Sequence, residues 1–184
     1  MKVGIISDTH GSVQCWTKAY NRFFKDVDLI VHAGDVLYHG PRNPILADYN
    51  PGKLAEILNE CPVPIIFGKG NCDSEVDGMV LNLPIESPYG YVMMNGLRIV
   101  VTHGHLLSDE EKVVQAKKFK ADLFVTGHTH VAEVYKKDHT VFLNPGSPSM
   151  TKRTDHRSTI AILDENKVQI IDIDNEEVVE SINL

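Results

Sequence analysis

Seven side chains able to hold a cation stand at five equivalent places in this chain, each just past a short apolar run. Asp8 and His10 follow Val3-Gly4-Ile5-Ile6, and Asp35 follows Leu29-Ile30-Val31. Asn71 follows the run from Val63 to Phe67, His103 follows Leu97 to Val101, and His128 with His130 follows Leu123 to Val125. Any one of them alone is an ordinary strand-end residue, since Asp caps turns and His is often half exposed. The repetition is harder to set aside, because in open α/β sheets the carboxyl ends of the strands meet along one edge, where ligands bind. Asp8 and Asp35 brought together without a cation would raise a pKa and destabilise the fold, whereas a bound cation removes the conflict.

Imidazoles with carboxylates and a carboxamide, and no thiolate, suit manganese, iron, zinc, cobalt or nickel better than calcium or magnesium. Seven groups exceed one ordinary site. Two metals sharing a bridging carboxylate use them economically, and such pairs stand about 3.5–4 Å apart in enzymes that attack phosphate esters. The set therefore points to phosphoryl chemistry.

These groups need a scaffold of strands, and apolar runs alternating with helical periods read as an α/β chain. The expected strands are Lys2 to Ser7, Leu29 to Val31, Val63 to Phe67, Leu123 to Thr126, Val131 to Tyr135, Thr140 to Leu143, Thr159 to Leu163 and Val168 to Ile173. Tyr91 to Met94 and Leu97 to Val101, joined by Asn95-Gly96, form a hairpin. A helix from Ser12 to Lys25 buries Val13, Trp16, Tyr20, Phe23 and Phe24; a second spans Lys53 to Glu60. A third starts at the capping box Ser108/Glu111 and ends on Lys117, Lys118 and Lys120, which read as a dipole-matched solvated face rather than a nucleic-acid patch.

A chain of 184 residues, 42% hydrophobic, can bury one sizeable core, so residues 1–184 are expected to form one domain. Three cysteines, Cys15, Cys61 and Cys72, suit free thiols in a reducing compartment, and neither a signal peptide nor a membrane span is readable; a cytoplasmic protein is expected. A formal net charge of -7 disfavours nucleic acid as the main partner. A small phosphate ester then needs positive charge from side chains or bound cations. A homo-oligomer stays open.

The motifs Asp8-Thr9-His10, Gly34-Asp35, Gly70-Asn71, His103-Gly104 and Gly127-His128-Thr129-His130 resemble, in order and across nearly the whole chain, those of the calcineurin-like metallophosphoesterases and their smaller YfcE-type phosphodiesterases. The resemblance implies a four-layer α-β-β-α sandwich, two mixed sheets flanked by helices. It implies that Asp8, His10 and His130 hold one metal, that Asn71, His103 and His128 hold the other, and that Asp35 bridges them. Two divalent transition metals are expected, manganese first, with zinc, iron, nickel or cobalt as alternatives. The expected reaction is hydrolysis of a phosphodiester by a metal-bridging hydroxide, whose formation two cations favour by lowering the pKa of water.

One position departs from the pattern. Related phosphoesterases carry histidine after Gly-Asn, where it can assist the leaving group, but this chain has Cys72. A thiol with a pKa of about 8.5 is a weaker acid catalyst than a protonated imidazole, so Cys72 is either that weak donor or a structural thiol beside the site. His105 and His39 are spare candidates for substrate contact, against the plainer reading of His105 as a strand-end residue that misses the metals. Arg42 in the long loop and Lys152 or Arg153 after the Asn144–Ser147 turn could bind a substrate's outer phosphate or base, although solvated charge is the plainer reading of each. His32, His139 and His156 are ordinary, and the Asn144-Pro145-Gly146-Ser147 turn has no catalytic role.

Two further functions stand beside the hydrolase. Relatives of this fold include a retromer subunit that serves as a protein-binding scaffold with a weakened metal site; the complete ligand set here favours an enzyme. A nuclease of the same superfamily is disfavoured by charge.

Overall fold

Alternation along each strand sorts the apolar side chains into three cores and so fixes the layers. The computed structural model describes residues 1–184. In β1 (Lys2–Ile6), Val3 and Ile5 face one way and Ile6 the other; in β2 (Leu29–His32), Leu29 and Val31 oppose Ile30. Both strands lie in a seven-stranded sheet that also contains β3 (Ile65–Gly68), β4 (Ile85–Glu86), β10 (Thr159–Asp164), β11 (Lys167–Asp172) and β12 (Glu177–Asn183), in the order β12-β11-β10-β1-β2-β3-β4. Strands β1 to β4 run parallel, and β10 to β12 are antiparallel additions beyond β1.

The second sheet has five strands: β5 (Gly90–Met94), β6 (Leu97–Val101), β7 (Leu123–Val125), β8 (Glu133–Lys137) and β9 (Thr140–Asn144), in the order β5-β6-β7-β9-β8. Ile99, Val101, Leu123, Val125, Val141 and Leu143 interleave with Val3, Ile5, Leu29 and Val31 to fill the space between the sheets. The outer face of the larger sheet packs on α1 (Val13–Ala19) and α2 (Pro51–Asn59) through Ile6, Ile30, Trp16, Leu54 and Leu58. Val100, Phe124 and Phe142 on the outer face of the smaller sheet cover Ala116 of α4 (Asp109–Phe119). The expected four layers and two mixed sheets are present.

Local differences from expectation have local causes. The helix read as Ser12 to Lys25 is α-helical only through Ala19 and continues as a π-helical turn, Tyr20–Phe24. Trp16, Tyr20 and Phe24 recur every fourth residue, a spacing that drifts about 40° per step around a regular α-helix. A wider turn holds the three rings together: Trp16 lies 6.3 Å from Tyr20 and 6.4 Å from Phe24. A single-turn α3 (Asp77–Val80), the two-residue β4 and the edge strand β12 lack a sequence signature. β12 is mostly exposed and carries Glu177 and Glu180, charges that also discourage edge-to-edge pairing. No helix is long and apolar enough to cross a membrane.

Candidate metal centre

The parallel strands β1, β2 and β3 of one sheet, and β6 and β7 of the other, end on the same side, and their C-terminal loops meet there. The loops are sharply bent: Asp8 (φ 54°), His10 (46°), Asp35 (55°), His128 (71°) and His130 (58°) all adopt the left-handed backbone region. Such conformations are costly outside glycine and persist when the surroundings enforce them. Close approach of loops also requires bare backbone, since a Cβ at Gly70 would sit 2.1 Å from Asp35 Oδ1 and one at Gly127 2.0 Å from Ser7 Oγ.

The orientation of three imidazoles is the decisive feature. His10 Nδ1 lies 2.8 Å from Tyr38 O, His103 Nδ1 2.9 Å from Ala33 O and His130 Nδ1 2.7 Å from Met150 O. A carbonyl only accepts, so each Nδ1 carries the proton and, in a neutral ring, each Nε2 presents a lone pair to the interior. Those Nε2 atoms converge on two carboxylates. His130 Nε2 is 3.2 Å and His10 Nε2 3.8 Å from Asp8 Oδ1, while His103 Nε2 is 3.3 Å and His10 Nε2 3.7 Å from Asp35 Oδ2. His10 Nε2 and His130 Nε2 are 3.1 Å apart. Asp8 Oδ1 and His103 Nε2 are buried with no hydrogen-bond partner. Lone pairs and anions packed this closely repel unless a cation lies among them. On the solvent side, Asn71 Oδ1 stands 2.8 Å from His128 Nδ1, and the His128 ring lies 5.3 Å from that of His103.

Protonation is the alternative to a metal, and its traces are visible in the electrostatics. Burial opposes a charge on His103, but the carboxylates of Asp35 and Asp8 lift its pKa to about 9. Burial would likewise raise Asp35, yet His103 holds it far below the ordinary carboxylate range. His10 moves down because burial outweighs its bond to Tyr38 and the nearby carboxylates. These residues form a cation-demanding cluster that divalent metals fit by donor type: imidazole and carboxylate, with Asn71 oxygen alongside.

The remaining oxygens of the two carboxylates are used for positioning. Asp8 Oδ2 accepts from Ser7 Oγ at 2.6 Å and His128 N at 3.0 Å, and Asp35 Oδ1 accepts from Cys72 N at 2.8 Å. Sequence reasoning missed several braces. Asp73 accepts from Asp35 N, Val36 N and Gly70 N at 2.7–2.8 Å, tying the β2 and β3 loops together. Ser147 and Ser149 both donate to Asp8 O, and Asn144 donates to Gly127 O and Thr129 Oγ1, so the Asn144–Ser147 turn supports two ligand-bearing loops. His32, read as ordinary, is fully buried between Thr9 Oγ1 and Gly34 N, with burial depressing its pKa to about 3. Polar residues beside a motif were the available signal for Asp73 and His32. Asn144, Ser147 and Ser149 come from the end of β9 and the segment after it.

The candidate substrate and acid contacts divide. Cys72 lines a cavity of about 830 Å³ with Asp35, Asn71, His128 and His130, and its Sγ lies within 4.8 Å of donor atoms of His10 and Asp35. Burial, then the charge of Asp35, pushes its thiol up to about 12. His105 lines a separate cavity of about 340 Å³, its ring 5.4 Å from His103 and 6.0 Å from His128. His39 does not line the large cavity: its ring is packed against Tyr38 at 4.6 Å and Tyr49 at 5.0 Å. Arg42 and Lys152 line the large cavity, but Arg153 is held by Asp155, Glu180 and Ala132 O.

Fold and donor set together define a class. The model of the calcineurin-like phosphoesterase superfamily domain matches residues 1–167, and the chain belongs to that superfamily. It is 36% identical over 180 residues to the phosphodiesterase YfcE of Escherichia coli strain K12, covering 97% of this chain and 96% of that one. The solved structure of the E. coli YfcE phosphoesterase superposes with a TM-score of 0.88 at 33% identity, over 100% of this chain and 99% of that one. Vacuolar protein sorting 29 of Cryptosporidium parvum shares the fold at a TM-score of 0.72 and 19% identity, covering 100% and 98%.

Proposed function

We propose that this protein is a binuclear metal-dependent phosphodiesterase. Asp8, His10 and His130 would hold one divalent transition metal, Asn71, His103 and His128 would hold the second, and Asp35 would serve both. Manganese is the first choice, with zinc, iron, nickel or cobalt as alternatives. The carrying observation is the inward convergence of three Nε2 atoms on Asp8 Oδ1 and Asp35 Oδ2, with Asp8 Oδ1 and His103 Nε2 otherwise unpartnered. The likeness to YfcE supports a phosphodiester over other phosphate esters. The proposed ligands come from both sheets, which supports one catalytic domain over two independent units.

Metals bound there would supply a hydroxide nucleophile near neutral pH and positive charge for the non-bridging phosphate oxygens. The chain's own groups do the rest. Tyr38 O, Ala33 O and Met150 O fix the tautomer and orientation of three histidines, as partners of metal-binding imidazoles commonly do. Ser7 and the His128 amide take one oxygen of Asp8, and the Cys72 amide one oxygen of Asp35, so each carboxylate presents its other oxygen inward. Cys72 lines the large cavity, and a thiol, with an ordinary pKa of about 8.5, is a weaker general acid than a protonated imidazole. The reaction then favours esters whose leaving groups depart unaided, such as aryl phosphodiesters. His105 is a secondary substrate contact, whereas His39 only packs against Tyr38, which lines the large cavity. The scaffold reading rests on fold likeness alone. Turnover of bis(p-nitrophenyl) phosphate by manganese-loaded protein, abolished by chelation, tests the proposal; a protein that binds metal without turnover favours the scaffold.

A further inference from the structure

We infer that Arg42, with Lys152 on the same cavity, forms a subsite for a second phosphate group carried by the substrate, apart from the phosphodiester that is cleaved. The inference rests on the phosphodiesterase reading above and names its substrate class.

The chain has five arginines. Four are engaged by carboxylates: Arg22 with Glu176, Arg98 with Asp122, Arg153 with Asp155 and Glu180, and Arg157 with Asp155 and Glu177. Arg42 has no carboxylate partner, and it lines the cavity that holds Asp35, Asn71, His128 and His130. Lys152 lines the same cavity and is likewise without an ion pair. An acidic protein that neutralises its other guanidinium groups leaves this one free where an anionic substrate must enter.

The Lys152 backbone bonds a proposed ligand, and the loop that carries Arg42 starts from a residue that does. His10 Nδ1 donates to Tyr38 O at the start of the Arg42 loop. That loop is shaped by Gly40 (φ 78°) and by Asn43 Nδ2 donating to His39 O at 2.8 Å. Lys152 N donates to His130 O at 3.0 Å. The segments that carry the two charges are therefore tied to the histidines by backbone contacts, while both side chains are exposed. A cavity of about 830 Å³ exceeds what the scissile phosphate needs, leaving room for an arm that reaches the rim. Guanidinium presents a planar fork of donors that matches phosphate oxygens, and lysine adds a point charge.

A matched pair of substrates tests this: the p-nitrophenyl ester of thymidine 5′-phosphate, with and without a 3′-phosphate. The wild type is expected to show a KM about tenfold lower for the 3′-phosphorylated ester, a gain in the range of one charge-assisted contact. In Arg42→Ala that ratio should collapse toward one. Arg42→Lys should restore part of it, and Lys152→Ala should reduce it. Calorimetry with thymidine 3′,5′-bisphosphate and thymidine 5′-phosphate reads the same preference without turnover. A wild type that turns over neither ester defeats the phosphodiesterase reading, while the calorimetric ratio still judges the subsite. No preference for the second phosphate in the wild type, or a loss in Arg42→Ala equal on both compounds, overturns the inference; the latter would put Arg42 on the scissile phosphate.

Discussion

Asp35 separates a two-metal site from a one-metal site, because its inward oxygen faces His10 of one proposed set and His103 of the other. Asp35→Ala is expected to lose metal at both positions and at least about 10²-fold in turnover, the scale of one removed transition-state contact; metal analysis alongside rates checks both. Cys72 tests the leaving-group argument. Cys72→His should raise rates most on poor leaving groups, by about 10²-fold or more where geometry permits, while Cys72→Ala keeps its metals. Rates over a series of leaving-group pKa values decide; an equal change throughout, or metal loss in Cys72→Ala, makes Cys72 structural. His103 supplies a pH prediction for metal-free protein. Its folded pKa of about 9 exceeds the ordinary 6.5, so the charged ring stabilises the fold fully below pH 6.5, and that stability is lost as pH rises through 9. Urea midpoints should therefore fall between those values, and His103→Gln should flatten the decline.

Two glycines at the element scale separate packing from chemistry. A Cβ on Gly4 would sit 2.6 Å from the Phe24 ring, within the core under α1. Gly4→Ala should then destabilise the fold by about 1–3 kcal/mol in denaturant titrations and leave metal stoichiometry unchanged. A Cβ on Gly127 would sit 2.0 Å from Ser7 Oγ and 2.8 Å from Asp8 Oδ2, so Gly127→Ala should weaken metal affinity by about 10- to 100-fold, measured by competition with a chelator. Apart from the two-residue β4, the apolar runs from β1 through β11 were readable because period-two alternation reports two buried faces directly. β12 was not, because an exposed edge strand with glutamates carries little of that signal. The π-helical turn was hidden for another reason: four-residue spacing of aromatics fits an α-helix tolerably over one step and fails only over two.

At the scale of the whole molecule, the two sheets are one device. Strand ends from both deliver the donors, and the core between them holds the loops in register. The donor residues were legible because each follows an apolar run, but their mutual geometry was not. The carbonyls that orient the histidines and the serines that clasp Asp8 come from segments up to 141 residues away in sequence. Arg153 shows the same limit: its neighbours in sequence place it near the site, yet Glu180 on β12 and Asp155 turn it aside. The central claim, a binuclear phosphodiesterase, is tested most directly by metal stoichiometry of protein purified without chelator, measured together with bis(p-nitrophenyl) phosphate turnover. The account predicts two divalent metals per chain, loss of turnover as chelation removes them, and recovery with manganese. Turnover that persists in the metal-stripped protein, or a fully loaded protein holding a single metal per chain, would contradict it.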